Sequence, residues 1–169
     1  YFFNDIIPIL WDVWPFSWER MYKAFKVLNI KMVFVSSRQV TDMINKESNV
    51  KAYWIPEAID ISHYQRGDLL KNRPFDVLEL GRQMGKYHVY LKEMLKKRVI
   101  NRLKTSNITK EGTLDDKNVA FTNDELYEML PKYKIMICFP QCDTNPKRAG
   151  QIETLTQRYW EAMLSGCLM

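Results

Sequence analysis

Short β-type runs alternate with helical stretches along the chain, and this alternation restricts the fold more than any other feature of the sequence. The run 31–36 (KMVFVS) is apolar and rich in β-branched and aromatic residues, as expected for a strand buried on both faces. Further strands are predicted at 50–55, 76–80, 118–121 and 133–139, with another beginning at 167, and helices at 17–28, 37–45, 87–103, 122–130 and 154–165. Because the connections are too long for hairpins, we predict an α/β fold with parallel sheets covered by helices.

A polar segment divides this pattern into two parts. Residues 62–74 are rich in turn-forming and charged side chains, which is typical of a linker or a domain boundary. We therefore predict a first α/β domain over 1–66, a linker over 67–74 and a second α/β domain over 75–169. Both ends of the sequence fall within hydrophobic runs, and we expect the chain to be part of a longer protein.

The composition excludes several classes of protein. With 169 residues, 46% hydrophobic and 27% charged, the chain has the composition of a folded globular protein and not of a disordered one. The longest apolar stretch, at the start of the chain, contains Asp5 and Asp12, which argues against a membrane span. Cys138, Cys142 and Cys167 do not form a zinc-binding spacing with the two histidines. We expect free thiols, no bound metal and a cytoplasmic location.

Positive charge is concentrated in one part of the chain. The formal net charge is +5, and the segment 82–104 carries eight basic residues against Glu93 alone. Such a stripe attracts anions, which include a nucleotide diphosphate, an acidic membrane surface and nucleic acid. A solvated helix face without a partner would have the same composition.

The end of the predicted strand 76–80 is a candidate site for an anion. Ligands of open parallel sheets bind beyond the carboxyl ends of the strands, where Gly81 allows close approach of the backbone. Arg82 and Lys86 follow at once and together could hold a diphosphate through charge-assisted hydrogen bonds. Neither Gly-x-Gly-x-x-Gly nor Gly-x4-Gly-Lys-Ser/Thr is present, which removes the main support for a dinucleotide or P-loop site.

A second candidate feature is a pair of carboxylates, Glu153 and Glu161, at the start and in the middle of the last predicted helix. On a helical wheel the predicted buried face consists of Leu155, Tyr159 and Met163. Glu161 lies well away from that face, where its carboxylate could accept two hydrogen bonds from a ribose cis-diol. Alternatively, Glu161 is a solvated side chain paired with Arg158 at i, i+3.

Three stretches, in this order along the chain, resemble the motifs of one enzyme family. The segment 55–60 (IPEAID) resembles the Ile-Pro-Asn-Gly-Val-Asp hinge of retaining glycosyltransferases with the GT-B fold of two Rossmann-like domains, although it carries Glu-Ala in place of Asn-Gly. Residues 80–82 (LGR) resemble the Val-Gly-Arg phosphate loop of that family. The segment 153–167 (ETLTQRYWEAMLSGC) resembles its Glu-x7-Glu signature. The matches cover roughly 33–169.

The resemblance implies a fold and a set of site residues. Residues 1–66 would be the end of the N-terminal domain, and 75–169 most of the C-terminal domain that binds a UDP- or GDP-linked sugar. Glu161 would bind the ribose hydroxyls, and Glu153 would hold a hydroxyl of the donor sugar. Arg82 and Lys86 would neutralise the leaving diphosphate without a metal cofactor. The other donor-binding positions implied are Gly81, Val119, Phe121, Thr154 and Leu155.

The function that we expect is transfer of a sugar, with retention of configuration, from a nucleotide sugar to an acceptor that is a glycan, a lipid-linked molecule or a small molecule. No nucleic acid partner is expected, and the basic helix could contact an anionic membrane at its inner face. One alternative keeps the fold but changes the reaction, to a sugar-nucleotide epimerase or a phosphorylase. Another is a non-catalytic basic α/β module that binds nucleic acid or an anionic membrane through residues 92–104.

Overall fold

The predicted alternation of strands and helices is present in the structure, a computed structural model that describes residues 6–105 and 122–169. The strands are β1 (Ile9–Leu10), β2 (Met32–Val35), β3 (Lys51–Trp54), β4 (Phe75–Glu79), β5 (Leu103–Thr105) and β6 (Tyr133–Ile137). The helices are α1 (Trp18–Val27), α2 (Arg38–Glu47), α3 (Gly85–Lys96), α4 (Asn123–Met129), α5 (Gln141–Thr144), α6 (Pro146–Ala149) and α7 (Gln157–Leu164). The predicted strand 118–121 lies outside the described residues.

The chain divides into two units, and each has a parallel three-stranded sheet. The first unit is Tyr1–Ala58 with Pro140–Leu155, and the second is Ile59–Phe139 with Thr156–Met169. The strand orders are β1-β2-β3 and β5-β4-β6, with every pair parallel. The described residues therefore form an α/β protein with two parallel sheets, as the sequence predicts, and this arrangement is consistent with a Rossmann-like class.

The first unit is organised around β2, its central strand. Val33 and Val35, which point to the same face of the sheet, are fully buried, and Met32 and Phe34 on the other face are half-buried. Ser37 caps α2 as predicted, its hydroxyl accepting from the Val40 N–H at 3.5 Å. Ser17 precedes α1 but does not cap it with its side chain: the hydroxyl instead donates to the Trp14 carbonyl at 2.8 Å.

The second unit has its core between β4, β6 and the helices α4 and α7. The buried side chains of this core are Leu78, Leu80, Leu126, Met129, Leu130, Tyr133, Met136 and Ala162. Thr122 and Glu125 form a reciprocal capping box that begins α4. Gly166, with a φ of +68°, ends α7 as predicted, and Leu168 pairs with Ile135 at the outer edge of β6.

The predicted helix 87–103 is wrong at its C-terminal end. Helix α3 ends at Lys96, and Arg98 adopts a left-handed φ of +56°. The chain then turns, and Leu103–Thr105 forms β5, in which Leu103 pairs with Val77 of β4. Backbone pairing with a neighbouring strand therefore overrides the apolar periodicity that predicts a continuing helix.

Residues 140–155 differ from the prediction in their secondary structure and in the unit to which they belong. The segment predicted as a polar loop over 141–152 contains α5 and α6, and its Ala149 and Ile152 are part of the core of the first unit. The units therefore differ from the predicted domains 1–66 and 75–169, and the predicted linker 67–74 lies within the second unit. Of the helices in 6–105 and 122–169, none is long and apolar enough to cross a membrane.

Candidate functional site

The carboxyl ends of β4 and β6 lie side by side in the second unit, and the segments that follow them form the candidate site. After β4, Gly81 turns the chain with a φ of +78°, a conformation that favours glycine. The carbonyl of the next residue, Arg82, accepts a hydrogen bond from the Phe139 N–H at 3.2 Å. This bond fixes the turn after β4 against the chain that leaves β6.

Helix α7 contributes a buried carboxylate, Glu161. Its Oε2 accepts from Arg158 Nη1 at 2.6 Å, and its Oε1 accepts from the Tyr64 hydroxyl at 3.1 Å. The prediction that Glu161 faces away from the buried side is wrong, because the side chain is buried in the second unit. Burial is tolerated because the guanidinium and the hydroxyl compensate the charge.

The predicted buried face of the last helix is also wrong. Leu155 and Met163 are exposed, and the helical residues that pack inward are Glu161 and Ala162. Ala162 belongs to the core of the second unit, and its small side chain allows the helix to pack closely there. Close packing at position 162 brings its neighbour Glu161 into the interior as well.

Arg158 connects the Glu161 carboxylate to the glycine turn. A Cβ atom placed on Gly81 would lie 3.6 Å from Arg158 Cγ, so the arginine side chain passes directly over the turn. The same arginine forms the 2.6 Å ion pair with Glu161. The second unit thus brings together two predicted site residues that are 80 positions apart in the sequence.

Two ionisable groups near Glu161 have altered acidity. Burial, followed by the charge of Glu161, raises the pKa of the Tyr64 hydroxyl. Burial raises the pKa of the Cys138 thiol to about 11, which keeps this group protonated at neutral pH. A protonated thiol is a poor nucleophile. Within 6–105 and 122–169, no three His, Cys, Asp or Glu side chains are grouped so that they could hold a metal ion.

Two predicted cations follow the turn. Arg82 is half-buried, and Lys86 is exposed at the second position of α3. Among the residues that the structure describes, neither forms an ion pair with a carboxylate. Their charges are consequently not neutralised by these residues.

The other predicted site residues are not part of this group. Glu153, Thr154 and Leu155 belong to the first unit, where the Glu153 N–H donates to Gln39 Oε1 at 2.8 Å. All three precede α7, which begins at Gln157, so the prediction that a helix begins at Thr154 is wrong. Val119 and Phe121 lie outside the described residues.

Three side chains that the sequence does not single out as a site meet near the end of β4. Glu79, the last residue of that strand, is fully buried, and its Oε2 lies 2.6 Å from His88 Nδ1 and 2.7 Å from the Thr105 hydroxyl. The one signal in the sequence is an acidic residue within an apolar strand pattern, DVLEL over 76–80. Thr105 belongs to β5, which the sequence does not predict.

Comparison of the chain with models of protein families, with curated protein sequences and with solved structures finds no match.

Proposed function

We propose that the second unit binds the nucleotide sugar of a retaining glycosyltransferase with the GT-B fold. The observation that carries this proposal is the contact of Arg158 with both the Gly81 turn and the buried Glu161. A close-approach turn, a cation and a hydrogen-bond acceptor are the groups that a nucleoside diphosphate requires. They lie here beyond the carboxyl ends of parallel strands, where ligands of such sheets bind.

The Gly81 turn is the proposed contact for the diphosphate. The positive φ of Gly81 turns the chain toward Arg82, which offers a planar set of donors that matches phosphate oxygens. Negative charge grows on the diphosphate as the bond to the sugar breaks. Arg82 and Lys86 stabilise that charge in the transition state, which is the electrostatic contribution that speeds the reaction.

Glu161 is the proposed ligand of the ribose hydroxyls. Each carboxylate oxygen can accept two hydrogen bonds, and each has one side-chain partner here, Tyr64 on Oε1 and Arg158 on Oε2. Those partners fix the orientation of the carboxylate and leave it capacity for two hydroxyl donors. The role of Glu153 stays a prediction from the Glu-x7-Glu resemblance.

Ligand-detected NMR with UDP, GDP and ADP, each with and without its sugar, tests this function. We expect selective binding of one nucleotide, with binding weakened at least about tenfold by Glu161→Gln or Arg82→Ala. The matched controls are Glu128→Gln and Lys132→Ala, which change residues of the same unit away from the Gly81 turn. One-dimensional proton spectra establish that each variant is folded. Unchanged nucleotide affinity in both folded site variants would overturn the assignment.

We also propose that the outer face of α3 contacts an anionic membrane. Val89 and Tyr90 are exposed there, and Val99 is exposed just beyond the helix. Lys96, Lys97 and Arg98 lie in the same part of the chain. Exposed apolar side chains among cations are typical of a surface that lies on anionic lipid.

A further inference from the structure

The buried carboxylate of Glu79 is surrounded by groups that hold it in place. His88 Nδ1 and the Thr105 hydroxyl both reach Oε2, at 2.6 and 2.7 Å. When the Gln83 carboxamide is turned with its nitrogen toward the carboxylate, that nitrogen lies 3.3 Å from Oε1. An ionised carboxylate is costly to bury unless it is paired and hydrogen-bonded. Side chains from β5, from the turn after β4 and from α3 supply those partners.

This arrangement determines which atom of the His88 ring is presented to a ligand. The hydrogen bond to an ionised carboxylate requires the proton on Nδ1, so Nε2 is the ring nitrogen that remains for another partner. The His88 side chain is 23% exposed, whereas that of Glu79 has no exposure. Since Nδ1 faces the buried oxygen, Nε2 is the ring nitrogen that faces away from Glu79. Glu79 therefore acts as a positioning residue for His88.

The charges around His88 indicate the kind of ligand. From Leu80 to Lys92 the sequence contains no Asp or Glu, and Arg82 and Lys86 lie within it. The one carboxylate shown to contact the imidazole is the buried Glu79, which its partners already engage. A ligand at Nε2 thus meets an excess of positive charge, which favours an anion.

We propose that His88, oriented by Glu79, is a ligand for a phosphate group that binds at the turn after β4. In the ring that carries both protons, Nδ1–H donates to Glu79 and Nε2–H donates to a phosphate oxygen. This inference rests on the proposed function, because it assigns the phosphate to the diphosphate of the nucleotide sugar. It adds an imidazole to the cations Arg82 and Lys86.

The chain has two histidines, which makes NMR of the imidazole nitrogens a direct test. The His63→Gln variant assigns the two sets of signals and is also the matched control. The probe is inorganic pyrophosphate, added to the full chain in mildly acidic solution. We expect the His88 signals to shift saturably and those of His63 to stay in place.

The affinities of variants complete the experiment. His88→Gln is expected to weaken pyrophosphate binding about tenfold, and His63→Gln to leave it unchanged. Glu79→Gln is expected to change the tautomer that the nitrogen shifts of His88 report and to weaken binding similarly. If Glu79→Gln does not fold, Thr105→Val removes one hydrogen bond to the same oxygen and leaves the imidazole in place. A purely structural role for His88 would leave its ring signals unmoved by pyrophosphate.

The outcomes separate this inference from the proposed function. No pyrophosphate binding, or equal binding by folded His88→Gln, would overturn the inference. If a nucleoside diphosphate binds in a manner that depends on Arg82 and Glu161 while the His88 signals stay fixed, the inference fails and the proposed function stands. If pyrophosphate moves the His88 signals but no nucleotide binds more tightly than pyrophosphate, the phosphate site stands and the proposed function fails.

Discussion

Arg73 illustrates how one side chain can join distant segments of the second unit. It is buried, and its guanidinium donates to the carbonyls of Asp68, Tyr133 and Ser165 at 2.9, 2.7 and 3.0 Å. Ser165 is the C-cap of α7, where the helix dipole concentrates partial negative charge. Carbonyl oxygens and a helix terminus thus compensate a buried positive charge.

Replacement of Arg73 by lysine is expected to lower the free energy of unfolding by about 2–3 kcal/mol, because buried acceptors lose their donors. A compact ammonium cannot reach three carbonyls that the planar guanidinium spans. Urea denaturation measures the change. Arg20→Lys, at an exposed position of α1, should leave the midpoint urea concentration of unfolding unchanged. Equal midpoints for the wild type and Arg73→Lys would contradict this account.

Replacement of two glycines of the second unit by alanine is expected to change the melting temperature in different ways. A Cβ on Gly67 would lie 2.0 Å from the Pro131 carbonyl oxygen, an overlap that only backbone movement can relieve. A Cβ on Gly85, the first residue of α3, would have no atom within 4 Å. We expect Gly67→Ala to lower the melting temperature by several degrees, a loss of at least about 2 kcal/mol. Gly85→Ala should keep or raise it, since alanine favours helix.

The burial of acidic residues is the aspect of single positions that the sequence predicts least well. A helical wheel places Glu161 away from the apolar side of its helix, yet the packing of Ala162 brings it inside. Glu79 lies within an apolar strand pattern, and its partner Thr105 comes from an unpredicted strand. Tyr64 and Thr105, which donate to these two carboxylates, are distant in sequence, and local patterns do not contain them. The neighbouring Arg158 indicates an i, i+3 ion pair with Glu161 but not the burial of that pair.

Among the elements, the end of α3 and the strand that follows depend on Asp76 of β4. Its Oδ2 accepts from the Asn101 and Arg102 N–H groups at 2.6 and 3.3 Å, and its Oδ1 pairs with Lys134 Nζ at 2.7 Å. These bonds hold the turn before β5 against the sheet. The segment 87–103, whose apolar spacing predicts a continuous helix, contains no glycine or proline to mark this turn. The sequence alone therefore does not reveal where the helix ends.

Asp76→Asn is expected to lower the free energy of unfolding by about 1–2 kcal/mol at neutral pH. The hydrogen bond from Lys134, and then that from the Asn101 N–H, hold the pKa of Asp76 below its ordinary value. A carboxyl with a depressed folded-state pKa stabilises the fold above its unfolded pKa of about 3.9, and this stabilisation disappears as pH falls through the folded-state value.

Urea denaturation of Asp76→Asn and the wild type at a series of pH values tests this sign. The difference in unfolding free energy should be largest at neutral pH and should shrink as the solution becomes more acidic than about pH 4. Asp42→Asn, at an exposed position of α2, is the control and should show little difference at any pH. A difference for Asp76→Asn that stays constant down to strong acid would contradict the assignment.

At the scale of the whole molecule, the parallel sheets were predictable and the grouping of segments was not. The apolar run Met32–Val35, and the segment Tyr133–Ile137 in which Lys134 is the one charged residue, have the residue types of buried parallel strands. The assignment of Pro140–Leu155 to the first unit depends on Ala149 and Ile152. Two apolar residues within a polar segment carry too little pattern to predict which core they join.

The uneven distribution of charge over the molecule predicts binding to anionic vesicles. Reversal of Lys96, Lys97 and Arg98 to Glu should weaken binding to phosphatidylglycerol vesicles roughly a hundredfold, at about 1 kcal/mol for each lost cation. The control reverses Lys26, Lys31 and Lys46, exposed cations of the first unit, with the same change in net charge. Sedimentation with vesicles measures the affinity. Equal loss in both triple variants would show that net charge, and not this helix, determines binding.

The contribution of Ala149 and Ile152 to the first core has a consequence for synthesis on the ribosome. The last strand of the first sheet, Lys51–Trp54, is translated well before these side chains appear. At about 5–20 residues per second, the nascent first sheet waits on the order of 10 s for the segment that completes its core. During that interval the strands of the second sheet are all translated. Folding of the first unit therefore starts first but finishes only after those strands have been made. In the meantime its apolar surface needs protection from aggregation.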